Sequence, residues 1–202
     1  MGIFSKKYDG LTDESLMQLV IKGEIKAFEL IYDRYSNKLL NFFHRMLWKD
    51  KEKAEDFMQE LFTKIIEKPN QYDSERPFKT WIYSIANNMC KNEYKKQEVR
   101  GEYKTLPLET LNNHISEIAP NRIDEKNFNM HLYTELDKLN EEHRATFILR
   151  YKDDLPLNEI SQIMECSEGT VKSRLFYTLK KISSKLQVYN PNKSEVNYER
   201  YN

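Results

Sequence analysis

The chain has 202 residues, of which 39% are hydrophobic and 12% aromatic, enough for one large domain or two small ones. Only 5 glycines and 6 prolines argue against a turn-rich β protein, so we expect a largely helical chain. Equal numbers of basic and acidic side chains, 32 of each, exclude the global positive charge of many nucleic-acid-binding proteins.

Apolar residues at three- and four-residue steps predict a series of helices in the first part of the chain. Thr12 or Asp13 is placed to cap a helix over 13–22. A longer helix follows from about Glu24, and Asp50 caps the third. The residues of the third helix that we expect to face inward are Ala54, Phe57, Met58, Leu61, Phe62, Ile65 and Ile66.

The fourth helix completes an N-terminal helical bundle over residues 10–96. Lys68-Pro69-Asn70 ends the third helix, and Pro77 opens the fourth after a short loop. Its expected inward face consists of Phe78, Trp81, Ile82, Ile85 and Met89. A unit of this size can hold its own core.

The helical periodicity fades from about Gln97, and the polar composition of residues 97–129 predicts a flexible linker. Periodicity returns near Phe128 with two helices interrupted near Asn140. The following domain, 130–187, ends in two short helices joined by a tight turn, a helix-turn-helix, and residues 188–202 form a tail. The predicted fold class is therefore all-α: two small helical domains, an N-terminal helical bundle and a C-terminal helix-turn-helix, joined by a flexible linker.

The helix-turn-helix has the composition of a DNA-reading element. Ser161 is the small residue where its helices touch, and Ser167 can cap the second helix, leaving N–H groups free for a phosphate. No acid follows Glu168 before residue 188, whereas five basic residues do. The inward residues are predicted to be Ile160, Ile163, Met164, Val171 and Leu175. A helical hairpin that contacts only protein remains the alternative at this point.

The motifs of an enzyme are missing from the sequence. It contains no P-loop, no GxGxxG, no HExxH and no nucleophile elbow, so we predict no catalytic residues and no cofactor. Cys90 and Cys166 form no zinc motif and are expected to be buried thiols. We likewise predict no metal site, because the histidines do not pair at ligand spacing; they are His44, His114, His131 and His143. Without a signal segment or a long apolar run, we expect a cytoplasmic protein with no membrane insertion.

Four motifs, in order along the chain, resemble those of ECF-type (extracytoplasmic function) sigma factors of RNA polymerase. The matching segments are 27–35 (AFELIYDRY), 54–62 (AEDFMQELF), 78–88 (FKTWIYSIANN), 155–160 (LPLNEI) and 168–176 (EGTVKSRLF), the last two belonging to one helix-turn-helix. The resemblance covers roughly residues 12–95 and 130–187. It implies a transcription initiation factor that binds RNA polymerase, recognises the −10 and −35 promoter elements and promotes DNA melting.

The resemblance implies that segment 54–62 lies in the helix that binds the polymerase core. Its polar residues fall at steps of three and four and so form one stripe, for which a solvated face is the alternative explanation. We expect an exposed Met58 or Phe62 to supply the apolar centre of the contact. The predicted polymerase-binding residues are Asp56, Met58, Gln59, Glu60, Phe62 and Thr63.

The fourth helix carries amides and amines that suit a single DNA strand, because lysines follow phosphates and asparagine pairs with an extruded base. In the family, an Asn that matches Asn88 lies beside the loop that captures a base of the −10 element. Tyr94 is the expected stacking partner, Tyr83 a weaker candidate for strand contact and Trp81 a core residue. The predicted −10 residues are Asn87, Asn88, Lys91, Asn92, Tyr94 and Lys95.

The second helix of the helix-turn-helix is predicted to read the −35 element in the major groove. Its predicted DNA-binding residues are Ser167, Gly169, Thr170, Lys172, Ser173, Arg174, Phe176 and Tyr177.

The resemblance also implies the partners. They are the core of bacterial RNA polymerase, through the clamp helices of its largest subunit and its flap, and promoter DNA in double- and single-stranded form. We expect the linker to be extended through the active-site and RNA-exit path, where its acidic residues would mimic nucleic acid. Many members of the family are restrained by an anti-sigma factor, which is therefore a candidate partner.

Three positions depart from the family pattern: Ser84, Pro156 and Tyr177. We hypothesise from these departures that DNA contacts are weaker and that an additional recruiting protein assists, through the tail after Gln187. The alternative function is that of a helix-turn-helix transcriptional regulator not bound stably to polymerase. Such a regulator would need neither the polar stripe of the third helix nor that of the fourth.

Overall fold

The structure is a computed structural model that describes residue 8 and residues 10–101 and 125–190. It is all-α, with no strand in these ranges. Helices α1–α4 form the N-terminal bundle and α5–α8 the C-terminal domain. The helices are α1 (Asp13–Ile21), α2 (Ile25–Met46), α3 (Lys51–Glu67), α4 (Phe78–Arg100), α5 (Glu125–Asp137), α6 (Glu141–Tyr151), α7 (Leu157–Ile163) and α8 (Glu168–Lys185).

Polar side chains cap four helices as the sequence indicates. Thr12, rather than Asp13, accepts the N–H of Ser15 at the start of α1. Asp50 caps α3, and Ser167 caps α8 by accepting the N–H of Thr170. Asn140, where the sequence predicts an interruption, caps α6. Each such bond satisfies a backbone donor that has no partner within its own helix.

The start of α4 is stabilised from a distant part of the chain. Pro77 precedes the helix and makes no side-chain capping bond, but the N–H of Phe78 donates to Glu14 Oε1 at 3.0 Å. Burial acts to raise the pKa of Glu14, yet backbone hydrogen bonds, including this one, lower it overall. This cap ties α1 to α4 and orients the helix that carries the predicted −10 residues.

The core is continuous through both halves of the described chain. Side chains of α2, α3 and α4 share one buried apolar cluster with Ile148, Ile160, Ile163, Val171 and Leu175 of the C-terminal domain. A second, smaller cluster consists of Leu132, Leu136, Phe147 and Ile182. The predicted inward residues of the helix-turn-helix are therefore confirmed, Met164 being only partly buried.

The structure corrects two of the inward and outward assignments. Ile66 was predicted to face inward but is 56% exposed at the end of α3. Tyr83, a weaker candidate for DNA contact, is 2% exposed, and its ring packs edge-on against Phe42 at 5.6 Å between centroids. Trp81 lies against Tyr72 and Phe78 at the border of the core, as predicted.

The predicted linker lies largely outside the described residues. Helix α4 continues to Arg100 and α5 begins at Glu125, so both helices extend into the range 97–129. Residues 102–124 and most of the 188–202 tail lie outside the described residues. The predictions made for these two segments therefore lie outside them as well. No helix of the described residues is long and apolar enough to cross a membrane.

Candidate polymerase and nucleic-acid interfaces

The outward face of α3 carries the predicted polar stripe. Asp56, Gln59, Glu60 and Thr63 are all exposed and lie at helical steps on one side. Glu60 forms an ion pair with Lys64 on the same helix at 2.7 Å, and both side chains are about half exposed. An exposed pair of this kind contributes little to folding, so the face is available for a partner.

The expectation that Met58 or Phe62 is exposed on this face is wrong. Met58 is 8% and Phe62 3% exposed, and both belong to the core. The Phe62 ring packs against Tyr32 of α2 at 4.7 Å between centroids. The exposed apolar surface is supplied instead by Ile66, four residues beyond Phe62, and by Tyr32, which is 38% exposed. The spacing of apolar residues along α3 cannot tell which of Phe62 and Ile66 is buried, because both lie near the edge of the apolar face.

Four of the predicted −10 residues share an exposed strip on α4: Asn88, Lys91, Asn92 and Lys95. We call these four residues the α4 strip. Asn87 lies beside them but is only 8% exposed. The one acid in this part of the helix, Glu93, points the other way.

Glu93 faces the bundle, where it is paired with Lys53 of α3. Burial acts to raise the pKa of Glu93, but the hydrogen bond and charge of Lys53, with a further bond from Gln97, lower it overall. The carboxylate is therefore ionised and neutralised inside, and the α4 strip carries only amides and ammonium groups. Such a surface attracts the phosphates of a nucleic-acid strand.

Tyr94 occupies a different place from the one its predicted stacking role requires. Its hydroxyl donates to the carbonyl of Met46 at 2.7 Å, and its ring lies 4.5 Å from that of Trp48 between centroids. Burial raises the pKa of the hydroxyl well above its ordinary value. In this arrangement the partly buried ring is part of the packing at the end of α2.

Most of the predicted −35 residues line the exposed side of α8. Ser167, Gly169, Lys172 and Ser173 are exposed and Thr170 is half-buried. The Phe176 and Tyr177 side chains are 62% and 60% exposed, with their rings 5.5 Å apart. Exposed aromatic rings beside lysines are unusual on a solvated helix, and they suit a groove that offers both phosphates and thymine methyl groups.

Arg174 is the exception on this helix. Its guanidinium forms an ion pair with Glu142 of α6, and the side chain is 14% exposed. A bound and half-enclosed guanidinium is not free to pair with a guanine edge. Sequence spacing could not reveal this, because Glu142 lies 32 residues away in the chain.

The described residues contain no group of histidine, cysteine, aspartate or glutamate side chains that could hold a metal ion. Cys90 is fully buried and Cys166 partly buried, and burial raises the pKa of the Cys90 thiol well above its ordinary value. The surfaces just described are therefore made of hydrogen-bonding, charged and aromatic groups.

Comparison with known proteins places both domains in one family. The sigma-70 region 2 family matches residues 31–100, and the sigma-70 region 4 family matches residues 136–184. The ECF RNA polymerase sigma-E factor of Escherichia coli K12 is 30% identical over 184 residues, which cover 88% of this chain and 95% of the relative. The sigma-E factor of Haemophilus influenzae is 29% identical, with coverage of 88% and 96%.

Two solved structures share the fold. CnrH in complex with the cytosolic domain of CnrY has a TM-score of 0.65 and 18% identity, covering 87% of this chain and 97% of that one. The sigma factor RpoE in complex with the anti-sigma factor NepR from Bartonella quintana has a TM-score of 0.61 and 20% identity, with coverage of 81% and 98%. The chain contains two sigma-70 regions in the expected order and matches sigma-E factors over nearly their whole length. It therefore belongs to the ECF family of RNA polymerase sigma factors and is a transcription initiation factor.

Proposed function

We propose that this sigma factor binds the polymerase core through the outward face of α3, captures the melted −10 strand on α4 and reads the −35 element with α8. The observation that carries this assignment is the separation of the three surfaces by charge. The α3 face presents acids and amides beside Ile66, whereas the α4 strip and the exposed side of α8 present lysines and no acid past Glu168.

On α3, the proposed polymerase contact consists of Asp56, Gln59, Glu60 and Thr63, with Ile66 and Tyr32 as its apolar part. A polar stripe around a small apolar centre is the usual composition of a non-obligate protein interface. We propose the clamp helices of the largest polymerase subunit as its partner and the flap as the partner of the C-terminal domain.

On α4, the lysines of the α4 strip would follow the phosphates while Asn88 and Asn92 present amides to base edges. Extruding a base costs a few kcal/mol, and this loss is offset by stacking and hydrogen bonding. Asn87 and Tyr94 stay in the proposal as residues that would reach DNA only after a rearrangement of the packing around them.

On α8, Lys172 and the N-terminal N–H groups would contact phosphates, and Ser173, Phe176 and Tyr177 would meet base edges. The five basic residues of this helix support only weak binding by themselves, of the order of 10⁻⁴–10⁻⁶ M. Tethering through polymerase to a second DNA contact raises the effective concentration and so the affinity.

We infer that the chain performs no catalysis of its own and works in the cytoplasm, where polymerase and chromosome meet.

Association with core polymerase tests this function directly. The purified chain, tagged at its N-terminus, should retain bacterial core polymerase and direct promoter-specific transcription from it. An RNA polymerase preparation already saturated with another sigma factor serves as the control and should not be retained. A chain that binds DNA but never core polymerase would be the helix-turn-helix regulator instead, and the proposal would be wrong.

A further inference from the structure

Two aromatic rings lie in the middle of the outward face of α8. Phe176 and Tyr177 are 62% and 60% exposed, and their rings meet edge to face with centroids 5.5 Å apart. Ser173 and Lys180 lie three or four residues from both rings, so these four exposed side chains share one side of the helix. The opposite side is buried and consists of Val171, Leu175, Thr178 and Ile182. The rings are therefore not the border of the core.

The surroundings of the two rings are basic. Lys172, Lys180 and Lys181 are exposed on α8, and no acid follows Glu168 in this helix. Large apolar rings are rarely placed in the centre of a charged helix face without a partner. A major groove offers both kinds of contact, since its edges are phosphate chains and its floor presents thymine methyl groups.

The arginines of the C-terminal domain are engaged within the protein. Arg174 forms an ion pair with Glu142, and its Nη1 lies 3.6 Å from the Cys166 sulfur. The other two arginines between residues 125 and 190, Arg144 and Arg150, donate to backbone carbonyl groups. The commonest specific contact with guanine is a pair of hydrogen bonds from arginine. In this arrangement the described part of the domain has no arginine aimed at such a pair, and the rings occupy the place on α8 where base edges would be met.

We propose that Phe176 and Tyr177 determine the specificity for the −35 element by contacting the methyl groups of neighbouring thymines, while Glu142 keeps Arg174 away from the bases. The inference rests on the proposed reading of the −35 element by α8, and it adds which base is selected and how. The −35 element is then recognised by thymine, rather than guanine, where the rings enter the groove.

Selection from a randomised duplex tests which bases α8 recognises. The full-length factor, assembled with bacterial core polymerase, is given promoter duplexes that have a pre-opened −10 region and a randomised upstream segment. Wild type should enrich thymine at a position where Tyr177→Ala no longer does. Tyr177→Phe keeps the ring and should keep the preference, whereas Tyr177→Arg should replace thymine by guanine there. An unchanged selection by Y177A would overturn the proposal.

Uracil substitution tests the methyl contact itself. Deoxyuridine has the hydrogen-bonding edge of thymidine without the methyl group, so replacing the enriched thymines of the selected duplex one at a time removes only the apolar contact. We expect the affinity of the assembled factor to fall about fourfold for each contacted thymine, the effect of losing the burial of one methyl group. In Y177A the effect should disappear at one of these positions. Equal affinity of wild type for thymine and uracil duplexes would refute methyl reading.

Two further variants separate ring contacts from charge. Lys172→Ala removes a proposed phosphate contact and should weaken binding to thymine and uracil duplexes by the same factor. Arg174→Ala should select the same −35 sequence as wild type, because Glu142 already holds this guanidinium. Loss of a guanine preference in R174A would contradict the role given to Glu142.

These outcomes distinguish failure of the inference from failure of the proposed function. If the factor does not assemble with core polymerase, or enriches no upstream sequence, the function is wrong and the inference falls with it. If it selects a reproducible −35 sequence that is insensitive to the thymine methyl group, the function stands and methyl reading does not. Loss of core binding by Y177A with unchanged DNA selection would assign the rings to a protein contact instead. Circular dichroism of each variant confirms that its helices are intact.

Discussion

Asp153 shows at the scale of one residue how the domain junction balances burial against charge. Its side chain is 6% exposed beside Arg45. Burial raises the pKa of Asp153 to about 6, although Arg45 acts in the opposite direction. The carboxyl group therefore binds its proton more tightly in the folded chain than in the unfolded chain.

The sign of the resulting pH dependence follows from that tighter proton binding. The stability contributed by protonated Asp153 is full below its ordinary pKa of 3.8 and is lost as the pH rises through about 6. We predict that wild type gains on the order of 1 kcal/mol over Asp153→Asn when the pH falls from 7.5 to 5. Urea unfolding of both chains at both values measures this difference. Asp33, an exposed residue of α2, provides the control, since Asp33→Asn should keep the wild-type pH dependence; a pH-independent difference between wild type and D153N would contradict the prediction.

Buried carboxylates at other positions behave differently because their partners differ. Glu93 has Lys53 and Gln97 as hydrogen-bond donors, and its pKa is lowered overall despite burial. Asp153 has one guanidinium in a more enclosed site, and there burial dominates. The number of hydrogen-bond donors and their positions decide whether the pKa of a buried carboxyl group rises or falls, and neither can be read from the sequence.

At the scale of elements, α3 and α4 are both amphipathic, but their outer faces differ in charge. Each turns its apolar side to a common core, and each leaves a polar strip outside. The strip on α3 has acids at Asp56 and Glu60, and the strip on α4 has ammonium groups at Lys91 and Lys95. The two functions should therefore be separable by substitution.

We predict that Gln59→Ala/Glu60→Ala weakens core binding about tenfold and leaves single-stranded DNA binding unchanged. Lys91→Ala/Lys95→Ala should weaken single-stranded DNA binding and leave core binding unchanged. Loss of two phosphate contacts lowers the slope of log affinity against log salt by about 1.4 for a single strand. Core binding is measured by competition with a labelled factor, and DNA binding by anisotropy over a salt series. Lys22→Ala/Lys26→Ala removes the same charge from exposed positions elsewhere and should change neither.

Elements also show where sequence periodicity succeeds. The predicted caps at Asp50 and Ser167 are confirmed because they depend on local chemistry, a side chain and an N–H three residues on. Asn140, predicted only to interrupt two helices, caps α6 in the same way. Phe62 and Ile66 were both predicted to face inward, and only Phe62 is buried. An α-helix turns by 100° per residue, so a residue near the edge of an apolar face is buried or exposed according to which neighbouring helix packs against it. Here the neighbour is α2, whose Phe28 and Tyr32 rings enclose Phe62.

At the scale of the whole molecule, the length of the connection between α4 and α5 sets how far the two DNA-binding surfaces can separate. Residues 102–124 reach at most about 80 Å if fully extended. That length is sufficient for two promoter elements only when the domains themselves cover part of the span.

Removing about 15 residues from within 102–124 should abolish promoter opening and leave core binding intact, because the remaining chain reaches only about 30 Å. Opening is measured by permanganate reactivity of the −10 region, and core binding by gel filtration. A variant with the same 15 residues replaced by glycine and serine keeps the length and should restore opening at least in part. Promoter opening by the shortened chain at the wild-type rate would show that linker length does not matter.

The sequence by itself determined the helical class, the order of the helices, most of their caps and the family, because these depend on periodicity, local hydrogen bonds and short motifs. Only the tertiary structure decided that Glu14 caps α4, that Arg174 is held by Glu142, and that Arg144 joins the C-terminal domain to the end of α2. Each of these contacts joins residues 32 to 99 positions apart. Such pairs leave no local pattern, since they arise only when packing of the apolar faces brings distant polar groups together out of water.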